Sequence, residues 1–341
     1  MKILITGGAG FIGSNFIRFF LNEHPEDELI NLDALTYAGN LENLRDVEGL
    51  PGYRFVKGDI GDGGLLDELD FDAIIHFAAE SHVDRSIIDA SPFLRTNVLG
   101  TQNLLDAARK RGCRLLHVST DEVYGSIGTG LFTEESPLMP NSPYAASKAS
   151  SDLLARAAYE TYGLDVVITR CSNNYGPYQF PEKLMPLVIA NALRNRPIPV
   201  YGDGMNIRDW IFVTDHCRAV DTVFKKGRAG GVYNIGGRNE QTNIGIIGRL
   251  LSAIARKTGA SEDELRKLIV FVKDRPGHDR RYAIDPSKIQ RELGWRSETG
   301  FEDGISKTVE WYLSNSGWWE RIVSGEYRDY YALQYGKRTG P

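Results

Sequence analysis

Cysteine is scarce: the 341-residue chain holds three, at positions 113, 171 and 217, with no Cys-x-x-Cys spacing. An odd, scattered set builds neither a disulfide framework nor a zinc knuckle, and reads as reduced, buried small hydrophobes in a cytoplasmic protein. The six histidines also lack ligand spacing, so no metal is expected. His76 and His117 lie inside apolar runs and read as satisfied core groups. There is no run of five basic residues and the net charge is −5, which leaves no footprint for nucleic acid. No apolar stretch approaches the roughly 20 residues needed to cross a bilayer, so no membrane contact is expected. The opening MKILITGGAG turns glycine-rich too soon for a secretory signal. Internal repeats and low-complexity tracts are missing as well. These absences exclude several classes and point to a soluble protein that acts on a small molecule.

What is present is a regular alternation. Apolar residues make up 42% and charged residues 25%, an ordinary globular balance. Short β-rich runs (KILIT, ELINLD, RFVKGD, AIIHFAA, RLLHVST, DVVITRCS) alternate with helical patterns such as FIGSNFIRFFLNEH and SPYAASKASSDLLARAAYETYG. Continuous apolar strands between amphipathic helices indicate βαβ units and a parallel sheet covered on both faces. After about residue 177, Pro and Gly gather around charged residues, which suggests loops and a second lobe. The expected fold is therefore α/β. A doubly wound Rossmann domain with a seven-stranded parallel sheet spans 1–176 and 207–236, and a smaller C-terminal α/β substrate lobe spans 177–206 and 237–341. The strands near residues 210 and 232 are expected to rejoin the main sheet.

TGGAGFIG follows the first strand and opens the first helix, spacing Gly7, Gly10 and Gly13 three apart. Glycine is required where backbone turns tightly, approaches a diphosphate and packs helix on strand; the helix N-terminus then attracts the phosphates. Asp33 ends the second strand about 20 residues on. Its carboxylate can accept the adenosine ribose hydroxyls and repels a 2′-phosphate, so NAD is expected over NADP. Asp59 ends the third strand, either beside the adenine or as a helix cap.

STDEVYG places Asp121 and Glu122 side by side at the end of the RLLHV strand. Two adjacent carboxylates repel, and in a dry site one is driven toward its protonated form, which suits an acid/base pair. A solvated acidic turn or a cap is the alternative. Both side chains reach one pocket only if the chain has left the strand by then, because successive strand residues face opposite ways. Tyr144 and Lys148 in YAASK lie four apart on one helix face. A nearby ammonium is expected to draw the phenol toward phenolate.

With the glycine turn and HVST upstream, this set resembles the extended short-chain dehydrogenase/reductase superfamily. STDEVYG, AAESHVDRSI, YAASKASSD, CSNNYGPYQFPEKLMP, VYGDGMNIRDWIFVTDHCRA, YNIGG and DRPGHDRRYAID narrow the resemblance to its nucleotide-sugar 4,6-dehydratases across nearly the whole chain. The resemblance implies dTDP-glucose as substrate and NAD as a cofactor regenerated in every turnover. It implies that Thr120, Tyr144 and Lys148 oxidise C4 of the sugar. Glu122 would then take the C5 proton and a neutral Asp121 would protonate the departing C6 hydroxyl. It assigns Phe11, Ile12, Leu35, Thr36, Ile60, Ala78, Ala79, Ser81 and Asn174 to the cofactor. It assigns Tyr144 and Lys148 to the cofactor as well, Ser81, Thr96, Thr120 and Asn173 to the sugar, Lys183, Arg208, Arg275 and His278 to the diphosphate, and Leu184 to the substrate. Pro199, Tyr201 and Asn243 fall to the base, although Lys183 and Tyr201 also fit as surface or packing residues. A homodimer through the helices near 91–111 and 143–162 is implied too. A 4-epimerase needs no acid pair at C5 and C6, and an ionised Asp121 would repel a decarboxylase's carboxylate substrate.

Overall fold

The computed structural model describes residues 1–324, so 325–341 of the expected C-terminal lobe lie outside the described residues. The strand β1, Lys2–Thr6, shows why the sheet is central. Ile3 and Ile5 pack into one apolar cluster with Phe16, Ile17 and Val167. Leu4, between them, packs into a second cluster with Leu104, Leu115 and Ile168. A strand that is apolar on both faces belongs in the middle of a covered parallel sheet. The remaining strands are β2 (Glu28–Asp33), β3 (Tyr53–Lys57), β4 (Ala73–His76), β5 (Arg114–Thr120), β6 (Val166–Cys171), β7 (Asn173–Tyr175), β8 (Ile198–Tyr201), β9 (Ile207–Phe212), β10 (Val232–Ile235), β11 (Glu240–Thr242) and β12 (Ile269–Val272).

The main sheet has seven strands in the order β10-β6-β5-β4-β1-β2-β3. Every pairing is parallel, with registers such as Ile5↔Asn31 and Ile5↔Ile75. The order reverses at β1, so the crevice beyond the carboxyl ends of β1 and β4 is where a doubly wound sheet receives its ligand. Helices Phe11–Glu23 and Val213–Lys226 cover one face; Thr101–Arg111 and Pro143–Tyr162 contribute to the other. The last of these is well delimited. Pro143 occupies its first turn, the Ser142 hydroxyl accepts from Ala145 N at 3.1 Å, and Gly163 closes it in the left-handed region.

One expectation fails. β10 joins the main sheet beside β6, but β9 does not; it lies between β7 and β11 in a separate three-stranded sheet. β10 occupies the edge that β9 would need. Alternation makes β9 face two cores at once, since Ile211 enters the main core while Trp210 and Phe212 enter the core of the second lobe. This strand is therefore a shared wall, with both sides buried against different partners. The second lobe holds its own cluster of Val188, Ile246, Leu250, Val309 and Tyr312, together with the short parallel pair β8–β12. The three cysteines are buried and unpaired. No helix among the described residues is long and apolar enough to cross a membrane.

Candidate active site

A cavity of about 300 Å³ opens over the carboxyl ends of the sheet. Its floor is the glycine turn. Gly7 has φ +73°, and a Cβ there would stand 2.5 Å from the backbone nitrogen of Ala78. The position therefore needs glycine for both conformation and space. Gly10 caps the helix Phe11–Glu23 with no side-chain cap and no acid in the first turn, which leaves backbone N–H groups and the helix dipole facing the cavity. Asp33 is buried at the rim. Its carboxylate accepts from Ala9 N at 2.9 Å and Leu35 N at 2.8 Å. Burial raises its pKa, and the two N–H donors oppose that rise. Asp59 also lines the cavity. It accepts from Gly61 N at 2.7 Å, while the cap of the next helix is Asp62, bonded to Leu65 N. The cap alternative for Asp59 is thereby removed. Glycines without room for a side chain, an uncapped helix N-terminus and a carboxylate at the second strand end together fit a dinucleotide.

Gly13, Phe11, Ile12, Thr36, Ile60, Ala78, Ala79, Ser81, Thr96, Asn173, Asn174 and Lys183 line the same cavity, as do Thr120, Asp121, Glu122, Tyr144 and Lys148. Leu35 and Leu184 do not. Leu35 serves Asp33 through its backbone, and Leu184 packs on the second lobe's core.

The acid pair is built as the spacing required. β5 ends at Thr120 and the chain turns at once into a 3-10 helix, Asp121–Tyr124, whose first N–H groups Thr120 caps by accepting from Glu122 N at 3.3 Å. Both acids thus leave the strand's alternation. Asp121 is 2% exposed, and its Oδ2 has no hydrogen-bond partner among the described residues. Burial, followed by Glu122 and Asp209, pushes its pKa well above the ordinary carboxylate value, which favours the protonated carboxyl. Glu122 sits at the seam with the second lobe: the Tyr282 hydroxyl lies 3.4 Å from its Oε2 and donates to Asp279 at 2.8 Å.

Tyr144 and Lys148 are both buried. The expected lowering of the phenol is not found. Burial and then Glu122 push the Tyr144 pKa up, with the Thr120 hydroxyl opposing, so the resting side chain keeps its proton. Lys148 donates to Val118 O at 2.9 Å, and burial brings its own pKa down to about 8.

A second group stands outside the cavity lining. Arg208 donates to the carbonyls of Ile207 (2.7 Å) and Asp279 (2.9 Å), with its guanidinium 4.0 Å over the Tyr282 ring. Arg275 pairs with Asp84 at 3.0 Å, and the Tyr201 hydroxyl donates to the same carboxylate at 2.8 Å. His278 bonds Asp274 at 2.6 Å and meets Tyr201 edge-on. Burial lowers Lys183, Arg208 and His278, and Arg275 lowers all three further, His278 to about 4. Lys183, Arg208 and Arg275 are therefore close enough to disfavour one another, with an uncharged His278 beside them, an arrangement suited to a polyanion. Pro199 lies two residues before Tyr201 on β8, so both face the same way, and Asn243 opens the helix after β11.

Sequence reasoning missed several residues. Asn97 lies on a π-helical turn, Leu94–Gly100; it grips Glu80 through both main-chain groups and donates to Ser147 Oγ at 2.8 Å. Glu182 and Gln179 line the cavity, and Tyr282 and Asp279 brace Glu122. The last two lie inside the DRPGHDRRYAID motif, the one signal that could have pointed to them; a buried Asn within a helix carries no such mark.

The sheet order, the glycine turn at its switch point and the Tyr–Lys helix define the short-chain dehydrogenase/reductase class of enzymes. A family model described as GDP-mannose 4,6 dehydratase matches residues 4–308, and the chain belongs to that family. It is 53% identical to a dTDP-glucose 4,6-dehydratase of Xanthomonas campestris pv. campestris, covering 95% of this chain and 97% of the relative. A solved dTDP-glucose 4,6-dehydratase from Streptomyces venezuelae, with NAD and TYD bound, superposes with TM-score 0.90 at 56% identity, covering 94% of this chain and 100% of that one. The Bacillus anthracis dTDP-glucose 4,6-dehydratase in complex with NAD gives TM-score 0.87 at 51% identity, over 94% and 99% of the two chains.

Proposed function

We propose that this protein is an NAD-dependent lyase that converts dTDP-glucose to dTDP-4-keto-6-deoxyglucose and water. One observation carries the reading. At the end of β5 a buried Asp121 and a neighbouring Glu122 face the same cavity as Tyr144 and Lys148, over a dinucleotide-shaped glycine turn. Gly7, Gly10, Asp33 and Lys148 would hold NAD, which would supply a hydride acceptor for C4 of the hexose and a hydride donor for C6.

Tyr144 must first give up its own proton, which the positive charge of Lys148 favours; as the phenolate it then takes the C4 hydroxyl proton, with Thr120 oriented beside it. Once C4 is a ketone, the C5 proton is acidic and Glu122 removes it. Asp121, neutral because it is dry, protonates the C6 hydroxyl as it leaves. The pair's divided environments supply both halves of an elimination. Lys183, Arg208, Arg275 and His278 hold the diphosphate, and Pro199, Tyr201 and Asn243 frame the base. Ser81, Thr96 and Asn173 orient the sugar.

The division into a dinucleotide domain (1–176 and 207–236) and a nucleotide-sugar lobe (177–206 and 237–341) accompanies this reading. So does a homodimer: Leu94, Leu99 and Leu153 leave more than half of their surface exposed along the helical segments that would pair. The enzyme is placed in the cytoplasm, where its unpaired thiols stay reduced. Incubation of the purified protein with dTDP-glucose, and separately with UDP-glucose, followed by mass analysis, tests the activity. Loss of one water from the dTDP sugar without added reductant is expected, and unchanged substrate in both tubes would overturn the reading.

A further inference from the structure

Behind the cavity a chain of buried polar groups leads away from Lys148, and the reaction just described uses none of them. Tyr144, Lys148 and Asp152 recur every four residues on the helix Pro143–Tyr162 and so share a face. Asp152 is 1% exposed. Its Oδ2 accepts from Arg170 Nε on β6 at 2.8 Å, and its Oδ1 lies 3.4 Å from His117 Nε2 on β5. Arg170 Nη1 donates to the Tyr124 hydroxyl at 2.8 Å, and that hydroxyl donates onward to Asn234 Oδ1 on β10 at 2.8 Å. Tyr124 closes the same 3-10 turn that begins with Asp121 and Glu122. Its ring stacks on Phe132 of the connector at 5.1 Å, and Asn234 holds that connector through Phe132 O and Glu134.

The chain therefore joins two parts of the site that lie on different elements. At one end is the helix bearing the oxidising pair; at the other is the turn bearing the eliminating pair. We propose that Asp152 is a positioning residue for Lys148, and that its tie through Arg170 to Tyr124 keeps the Tyr144–Lys148 face in register with the Asp121–Glu122 turn. The inference rests on the dehydratase reading and deepens it.

Charge accounting supports the role. Lys148 is faced from its own helix by Tyr144 and Asp152, from β5 by the Val118 carbonyl and His117, from β4 by His76, and from β6 by Cys171 and, past Asp152, Arg170. Burial holds His117 down at about 4 and Cys171 up at about 12, so neither carries charge at neutral pH. Asp152 stays ionised, since His117 and Arg170 outweigh its burial. It is thus the carboxylate that offsets two buried cations, and it opposes the desolvation that drags Lys148 toward neutrality. Without it the ammonium would be lost at a lower pH.

Full-length wild type, Asp152→Asn, Asp152→Glu and Tyr124→Phe, each loaded with NAD and mixed with dTDP-glucose, provide the test. Reduced dinucleotide is followed by absorbance and water loss by mass, from pH 6 to 10. Asp152→Asn is expected to move the basic limb of the oxidation step down by about one pH unit, with Asp152→Glu restoring it. Tyr124→Phe is expected to leave oxidation unchanged and to slow elimination about tenfold through misplacement of the acid turn. A uniform loss in Asp152→Asn with an unmoved pH profile would overturn the positioning of Lys148. Should that variant fail to fold, Tyr124→Phe decides: an unchanged ratio of elimination to oxidation overturns the tie. Wild-type conversion checks the reaction itself, so the two failures are distinct.

Discussion

The two halves of the site are made of different material. The dinucleotide half is largely backbone: Gly7 pressed against Ala78, an uncapped helix N-terminus after Gly10, and Asp33 held by two main-chain N–H groups. The half proposed for the diphosphate is side chain, with Lys183, Arg208, Arg275 and His278 brought in from loops and strands of the second lobe. Backbone donors are preorganised by the fold and cannot be substituted away one by one. Side-chain donors are placed by long-range packing, and each has its own partner: Arg275 pairs with Asp84 and His278 bonds Asp274, whereas Lys183 and Arg208 donate to main-chain carbonyls. Apart from Asp33, the first half is therefore vulnerable mainly at its glycines, whereas the second half degrades stepwise. At the seam stand Tyr144, Asp121 and Glu122, which belong to neither.

Damage at the seam sharpens the contrast most. Tyr144→Phe should lower the rate of reduced-dinucleotide formation about 10³-fold in stopped-flow absorbance while dTDP-glucose still binds. Next come the acids. Glu122→Gln should stop solvent deuterium entering C5. Asp121→Asn should slow water loss about 10²-fold and slow hydride transfer less. Equal slowing of both steps would reassign Asp121. Because its pKa is raised, Asp121 holds its proton below that value and loses it above, so elimination in the wild type should decline on the alkaline side.

A change within the backbone half should be smaller and all-or-none in kind. Gly7→Ala forces a side chain into the left-handed region against Ala78, at a cost of about 2 kcal/mol in stability, and the purified protein should carry little NAD. The smallest effect is expected in the side-chain half. Arg275→Met should raise KM for the nucleotide sugar about tenfold, roughly 1.4 kcal/mol, with kcat nearly kept. If Gly7→Ala instead produced a graded KM change and Arg275→Met emptied the enzyme of NAD, the division between the halves would be wrong.

Much of this is legible in the order of residues alone. The both-faces-apolar strands predict the parallel sheet, and the glycine spacing with Asp33 locates the dinucleotide turn. Asp121 and Glu122 stand out as adjacent acids at a strand end, although only the 3-10 turn shows that both leave the strand together. β9 is where sequence reasoning fails, because its apolar run is the same whether a strand joins one sheet or divides two cores. Tyr144 is a second failure: a Tyr and a Lys four apart predict a lowered phenol, but burial and Glu122 raise it. Asn97 and Asp152 carry no local mark at all, since their partners lie 17 to 50 residues away.

By itself the sequence determined what is local and periodic: strand and helix type, the turn that only glycine can make, the i and i+4 face of Tyr144 and Lys148, and the kind of chemistry those groups can perform. Tertiary structure decided the electrostatics and the meeting of distant parts. Which carboxylate is dry, which cation is paired and which strand closes the sheet depend on groups far apart in the chain. Desolvation and Coulomb interaction act through space, and spacing along a sequence does not record that distance.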